Sequence, residues 1–90
     1  MRDVSYKVKI RSAAQKDLDS FTGKEYRAVA EAISALEETP RPPKVKRLAG
    51  SGLWRVRVKK CRVIYAINDT AKEIIVVRVT RRSEDTYKGL

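Results

Sequence analysis

The residue types best suited to chemistry fall in one stretch, residues 54–65, which reads WRVRVKKCRVIY. Arg55 and Arg57 flank Val56, and Arg62 follows beyond Lys59, Lys60 and Cys61. A guanidinium is planar, permanently charged and able to grip a phosphate through two parallel hydrogen bonds. Several of them around one phosphodiester would stabilise the extra charge of a pentacoordinate phosphorane. If the bound polyanion is RNA, its own 2′-hydroxyl is the nucleophile. The protein then has only to align the attack, neutralise charge and move protons, with no metal. Tyr87 is a residue type suited to the proton transfer. A phenol ordinarily titrates near ~10, and adjacent cations favour its phenolate. It could equally stack on a base, and by residue type alone packing is its first reading.

What the composition lacks narrows the chemistry. The chain has no histidine, which removes a His–His ribonuclease arrangement, a Ser-His-Asp triad and the usual zinc sites. Gly50-Ser51-Gly52 is too short for a phosphate loop and lacks the following lysine and helix. Neither a cofactor nor a metal is expected. The one cysteine, Cys61, excludes an intramolecular disulfide and fits a reducing compartment. Lys60 and Arg62 beside it would lower its pKa, but a small strand residue is the simpler reading.

A net charge of +10 on 90 residues, with a pI near 10.1, points to a polyanionic partner. Nucleic acid comes first and an acidic protein segment second. A membrane surface suits less well, because the basic residues fall on strands and not along one amphipathic helix. No run nears the ~18 apolar residues of a membrane span. The first eleven residues alternate and carry charge where a signal peptide would have an apolar core. A cytoplasmic location is expected.

These residues need a scaffold, and the patterning supplies one. Tyr6, Val8 and Ile10 alternate with Lys7 and Lys9, the mark of a half-buried strand. Ser12 with Gln15 reads as a capping box opening a short helix that carries Ala14, Leu18 and Phe21 and ends near Asp19 or Ser20. Thr22 with Glu25 repeats the motif. Behind it Tyr26, Val29, Ala30, Ile33 and Leu36 form one apolar stripe, predicting a second helix over 23–38. Pro40, Pro42 and Pro43 end it. An extended linker follows with Lys44, Lys46 and Arg47, a patch for electrostatic steering, and Leu48 anchors it.

Gly50 and Gly52 turn into a strand in which Trp54, Val56 and Val58 face the core while Arg55, Arg57 and Lys59 face away. Trp54 and Tyr65 read as core. A tight break at Lys59 and Lys60 leads to a second run over 62–67, so the two form an antiparallel hairpin. Asn68-Asp69-Thr70 is the next turn. Residues 74–79, IIVVRV, read as a central strand covered on both faces. Residues 80–90 are polar, with a short helical turn at 83–88 whose Glu84 and Asp85 read as solvated. The whole is one domain, 1–90, of the α+β class. Two helices pack on one side of a curved, largely antiparallel four-stranded sheet, and the concave side is left for Arg55, Arg57 and Arg62.

Three segments in this order, YKVKIRSAAQKDLDSF, ALEETPRPPKVKRLAGSGLWRVRVKKCRVIY and IIVVRVTRRSEDTY, resemble the RelE/ParE superfamily of toxins, over residues 6–87. The resemblance implies a microbial ribonuclease-like fold and a cognate antitoxin that lays a helix or extended segment over the basic surface. RelE-like members imply a ribosome-dependent endonuclease cutting mRNA in the ribosomal A site by 2′-hydroxyl attack. ParE-like members imply a DNA gyrase poison.

Residue by residue, the RelE-like pattern places two basic residues at Arg55 and Arg57 and an arginine at Arg62. It places another arginine at Arg81 and a tyrosine at Tyr87. All five are filled, which favours the nuclease branch. Where relatives carry lysines, Arg55 and Arg57 can clamp charge but not shuttle protons. That leaves Tyr87 as base and the leaving-group acid unassigned, with Lys59 and Lys60 as candidates that the sequence does not place in the site. Lys44, Lys46, Arg47, Lys59, Lys60 and Arg82 are expected to hold RNA. Two alternatives stand beside this reading: the gyrase poison, and a non-catalytic basic module that binds RNA or protein.

Overall fold

Period-two alternation and two apolar helical stripes produce the architecture of the computed structural model, which describes residues 5–81. The elements run β1 (Lys7–Ile10), α1 (Ser12–Asp19), α2 (Gly23–Ala35), β2 (Lys46–Leu48), β3 (Leu53–Val58), β4 (Cys61–Asn68) and β5 (Glu73–Arg81). The strands form one sheet in the order β1-β5-β4-β3-β2. The β2–β3, β3–β4 and β4–β5 pairings are antiparallel, and β1 runs parallel to β5.

The sheet therefore has five strands and mixed directions, where a four-stranded, largely antiparallel one is expected from the sequence. The extra strand is the end of the basic linker. The prolines hold it extended, and the turn carrying Gly50 and Gly52, both at positive φ, folds it back onto β3. The parallel pairing arises because no tight turn joins β1 to β5. Two helices and the β2–β4 meander separate them, so their direction is set by packing.

Both helices depart from the expected caps. In α1 the N-cap position is Arg11, one residue before Ser12, with no side-chain cap bond, and Gln15 donates to Asp19 at 3.1 Å. In α2 Thr22 does occupy the N-cap, with extended φ, but it makes no side-chain cap bond either. Its partner Glu25 is drawn instead to Arg81 and Cys61. Regular α-helix stops at Ala35, and the next residues close tighter turns, with Leu36, Glu37 and Glu38 each donating to a carbonyl three residues back. Tyr26, expected on the apolar stripe, stays 44% exposed.

The core lies between the helices and one face of the sheet. Ala14, Leu18, Phe21, Val29, Ile33 and Leu36 from the helical half meet Cys61, Val63, Tyr65, Ile74, Val76 and Val79 from the sheet. Val76 and Val79 share that face only because the β4–β5 register slips beside Ile64 and Tyr65, leaving Val77 unmatched. As expected, β5 is central. Its outer face is covered in part, with Ile75 and Val77 half-buried.

Candidate nucleic-acid interface

Strand parity decides which cations meet. Trp54, Val56, Val58, Cys61, Val63 and Tyr65 pack toward the helices, so the alternate residues face the other way. There Arg57 lies directly across from Arg62, Arg55 across from Ile64, and Lys46 across from Arg55. Arg55, Arg57 and Arg62 thus share one face of the β3–β4 hairpin, as the sequence predicts. Lys46 joins them from β2. Like charges opposed across strands repel, so an anion on this face would be stabilising.

Local partners sharpen the contrast. Lys9, Arg41, Arg78 and Arg81 each hold a carboxylate: Glu73, Asp69, Asp17 and Glu25. Among the described residues, Lys44, Lys46, Arg55 and Arg57 hold none within ion-pair distance. The Nε of Arg55 is buried and has no hydrogen-bond partner among the described residues. A buried donor without an acceptor costs roughly 1–3 kcal/mol, so this atom favours a bound oxygen. Lys44 and Lys46 line a groove with Pro43, Arg55, Val56 and Arg57. Lys59 and Lys60 form the exposed hairpin turn between Val58 and Cys61, with Lys59 at φ 55°.

Two expected members lie elsewhere. Arg47 pairs with Trp54 in register, and its guanidinium sits 5.7 Å from the centre of the Trp54 ring. Arg41 covers the same ring at 5.1 Å. Trp54 is therefore a half-buried platform for two cations at the edge of the core.

Arg81 pairs with Cys61, whose side chain faces the helices. Its Nη2 donates to Glu25 Oε1 at 3.2 Å, and the guanidinium lies 4.6 Å from the Phe21 ring centre. The Cys61 thiol donates to the other Glu25 oxygen at 3.6 Å. The hydrogen bond from Arg81 holds the Glu25 carboxyl below its usual range, against the opposing effect of desolvation. So the arrangement brings Arg55, Arg57 and Arg62 together and sets Arg81 on the opposite side of the sheet. In the sequence its partners carry other marks, Glu25 as a capping-box residue and Phe21 as an apolar helix position, and neither points to Arg81. The parity of Arg81 with Val79 was the available signal. Arg82 and Tyr87 lie outside the described residues, as does the turn expected at 83–88.

Two helices on one face of a small mixed sheet, with Arg55, Arg57 and Arg62 gathered on the other, define a small basic α+β fold. Residues 8–86 match the family described as the ParE toxin of the type II toxin–antitoxin system parDE. The chain is 33% identical to a protein named as a RelE1 toxin in Methanocaldococcus jannaschii, over 96% of this chain and 99% of that one. Its structure is similar to that of the archaeal RelE–RelB complex of Pyrococcus horikoshii OT3. The TM-score is 0.79 and the identity 34%, over 89% of this chain and 98% of that one. The RelBE2 toxin–antitoxin complex of Mycobacterium tuberculosis is similar at a TM-score of 0.78 and 26% identity, over 87% and 99% of the two chains. The chain belongs to the RelE/ParE superfamily of type II toxins.

Proposed function

We propose that this toxin is a metal-independent endonuclease that cuts mRNA in the ribosomal A site and so stops translation. One observation carries the reading: the open face of the hairpin gathers Arg55, Arg57 and Arg62 around the Arg57–Arg62 rung. Two guanidiniums opposed across strands can hold the two free oxygens of one phosphodiester from both sides. The 2′-hydroxyl attacks that phosphorus, and the arginines stabilise the charge that develops.

Tyr87 is proposed to take the 2′-hydroxyl proton. Lys59 and Lys60, in the turn joining the two arginine-bearing strands, are the groups proposed to protonate the leaving 5′-oxygen. Arg82, Lys44 and Lys46 are proposed to bind flanking RNA. Arg47 is assigned to Trp54 and not to RNA. Arg81 ties α2 to the end of β5 in the free protein, and it joins the phosphate only by exchanging Glu25 for it.

Relatives solved as RelE–RelB and RelBE2 complexes support a cognate antitoxin here as well. Its proposed segment is acidic enough to cover the open face. Among the described residues no helix is long and apolar enough to cross a membrane, which fits action on cytoplasmic ribosomes.

The test is a translating extract in which mRNA ends are mapped. Wild-type protein is expected to generate new ends within codons, and Arg57→Ala or Arg62→Ala to slow their appearance by about 10²-fold. Unchanged cleavage by both variants overturns the assignment. The match to the ParE family supports a second reading, gyrase poisoning. It predicts intact mRNA together with inhibited supercoiling.

A further inference from the structure

Between the proline-rich linker and β3 lies a groove of about 320 Å³, lined by Pro43, Lys44, Lys46, Arg55, Val56 and Arg57. Its outer wall is a tight turn. The Val45 N–H donates to the Pro42 carbonyl at 3.1 Å, with Pro43 and Lys44 between them. Lys44 has φ 73°. Proline at the second position and positive φ at the third are the marks of a type II turn, and that third position is normally glycine or asparagine. Here a lysine is held in a left-handed conformation that an L side chain resists. Among the described residues no ion pair or hydrogen bond of its side chain compensates for the strain. Lys59 and Lys72 adopt positive φ in their own turns as well, so what distinguishes Lys44 is the cationic groove it borders.

The groove presents four cations and no carboxylate. Lys46 faces Arg55 across the β2–β3 ladder, and the buried Arg55 Nε lacks an acceptor among the described residues. Arg57 belongs both to this groove and to the rung it forms with Arg62, so the two sites are continuous. Arg55 and Arg57, two residues apart on one strand face, are spaced by roughly 6.6 Å. That is close to the phosphate repeat of an extended sugar–phosphate chain.

We infer that this groove is a second phosphate subsite, holding the backbone phosphate of single-stranded RNA that neighbours the one gripped by Arg57 and Arg62. Lys44 is its recognition residue, displayed by the type II turn. The compact ammonium of lysine suits a single phosphate oxygen at the rim, while the arginine forks act from the floor. The inference rests on the RNA reading of the open face but not on cleavage.

The test separates binding from catalysis. A short oligouridylate carrying 2′-O-methyl groups cannot be cut, and its binding is followed by fluorescence anisotropy at several salt concentrations. Lys44→Gly removes the cation and at the same time gives the turn its preferred residue. It is expected to weaken binding about fivefold near ~0.1 M salt and to reduce the slope of log K against log salt by about 0.7. Its thermal midpoint is expected to rise by a few degrees. Lys44→Arg should retain most of the affinity. Lys24→Ala, on the exposed start of α2, should change neither slope nor affinity.

Unchanged binding by Lys44→Gly overturns the subsite. An equal loss in Lys24→Ala overturns it too, because diffuse charge would then be the whole effect. An oligoglutamate that competes as strongly as RNA, with the same dependence on Lys44, shows an acidic protein to be the occupant and overturns it as well. A wild-type protein that leaves mRNA intact, but whose Lys44→Gly variant still loses oligonucleotide affinity, keeps the subsite and removes only the nuclease reading.

Discussion

Tyr65 shows how much one side chain can position. It is fully buried, yet its hydroxyl donates to the Pro40 carbonyl at 2.7 Å. Burial pushes its pKa up to about 12, with Arg41 acting in the opposite direction, so at neutral pH it is a donor and not a base. The contact clasps the start of the linker that carries Lys44 and Lys46. Tyr65→Phe leaves that carbonyl without its partner and is expected to cost about 1–3 kcal/mol. Urea unfolding should show a lower midpoint with an unchanged slope. An unchanged midpoint would mean that the linker is held by other contacts. The core position of Tyr65 was legible from alternation. Its partner was not, because Pro40 is 25 residues away and nothing local marks it. Arg81 repeats the lesson. Its parity with Val79 places it toward the helices, while the family pattern assigns it to the phosphate. Only the folded structure brings Glu25 beside it.

At the scale of elements, the β5 bulge and α1 are fastened by a single carboxylate. Asp17 Oδ2 accepts from Arg78 Nε at 2.8 Å and from the Val79 N–H at 2.9 Å, and Oδ1 accepts from Arg78 Nη2 at 3.1 Å. The slipped register that puts Val76 and Val79 together in the core also turns the Val79 amide to the helix. Asp17→Ala removes all three bonds and is expected to cost about 1.5–3 kcal/mol, the range for hydrogen bonds to charged groups. Hydrogen exchange at the Val79 amide should rise with it. Slow exchange in the variant would show that the bulge stands without α1.

Which elements exist was written in apolar spacing and in three prolines, because those patterns are local. The bulge, the short β2 and the parallel β1–β5 pairing depend on distant partners. KRL has no alternation long enough to read as a strand. Both capping motifs are present, but a motif promises only compatible residue types. In α2 a stronger partner, Arg81, takes the glutamate.

For the whole molecule the question is where eleven acidic residues go among twenty-one basic ones. Among the described residues Asp17, Glu25 and Asp69 tie elements together away from the arginine-bearing face of the hairpin. Glu25 links α2 to β5. Asp69 joins the linker to β1 by accepting from Arg41 at 2.9 Å and from the Tyr6 hydroxyl at 2.7 Å. The hydrogen bonds from Arg81 and from Arg41 hold these two carboxyls below their ordinary range. A carboxyl with a folded pKa below its unfolded one takes up protons more readily when unfolded. Its contribution to stability is therefore present at neutral pH and is lost as pH falls through the folded value.

Protonation also raises a net charge already at +10, so self-repulsion acts in the same direction. Urea midpoints are expected to fall between pH ~5 and ~3. The double variant Glu25→Gln with Asp69→Asn should start lower at pH 7 and follow a flatter curve, meeting the wild type at the acid end. Curves that stay parallel would show that other carboxylates carry the acid sensitivity. They would also separate the stability of the fold from the two ion pairs that hold Glu25 and Asp69.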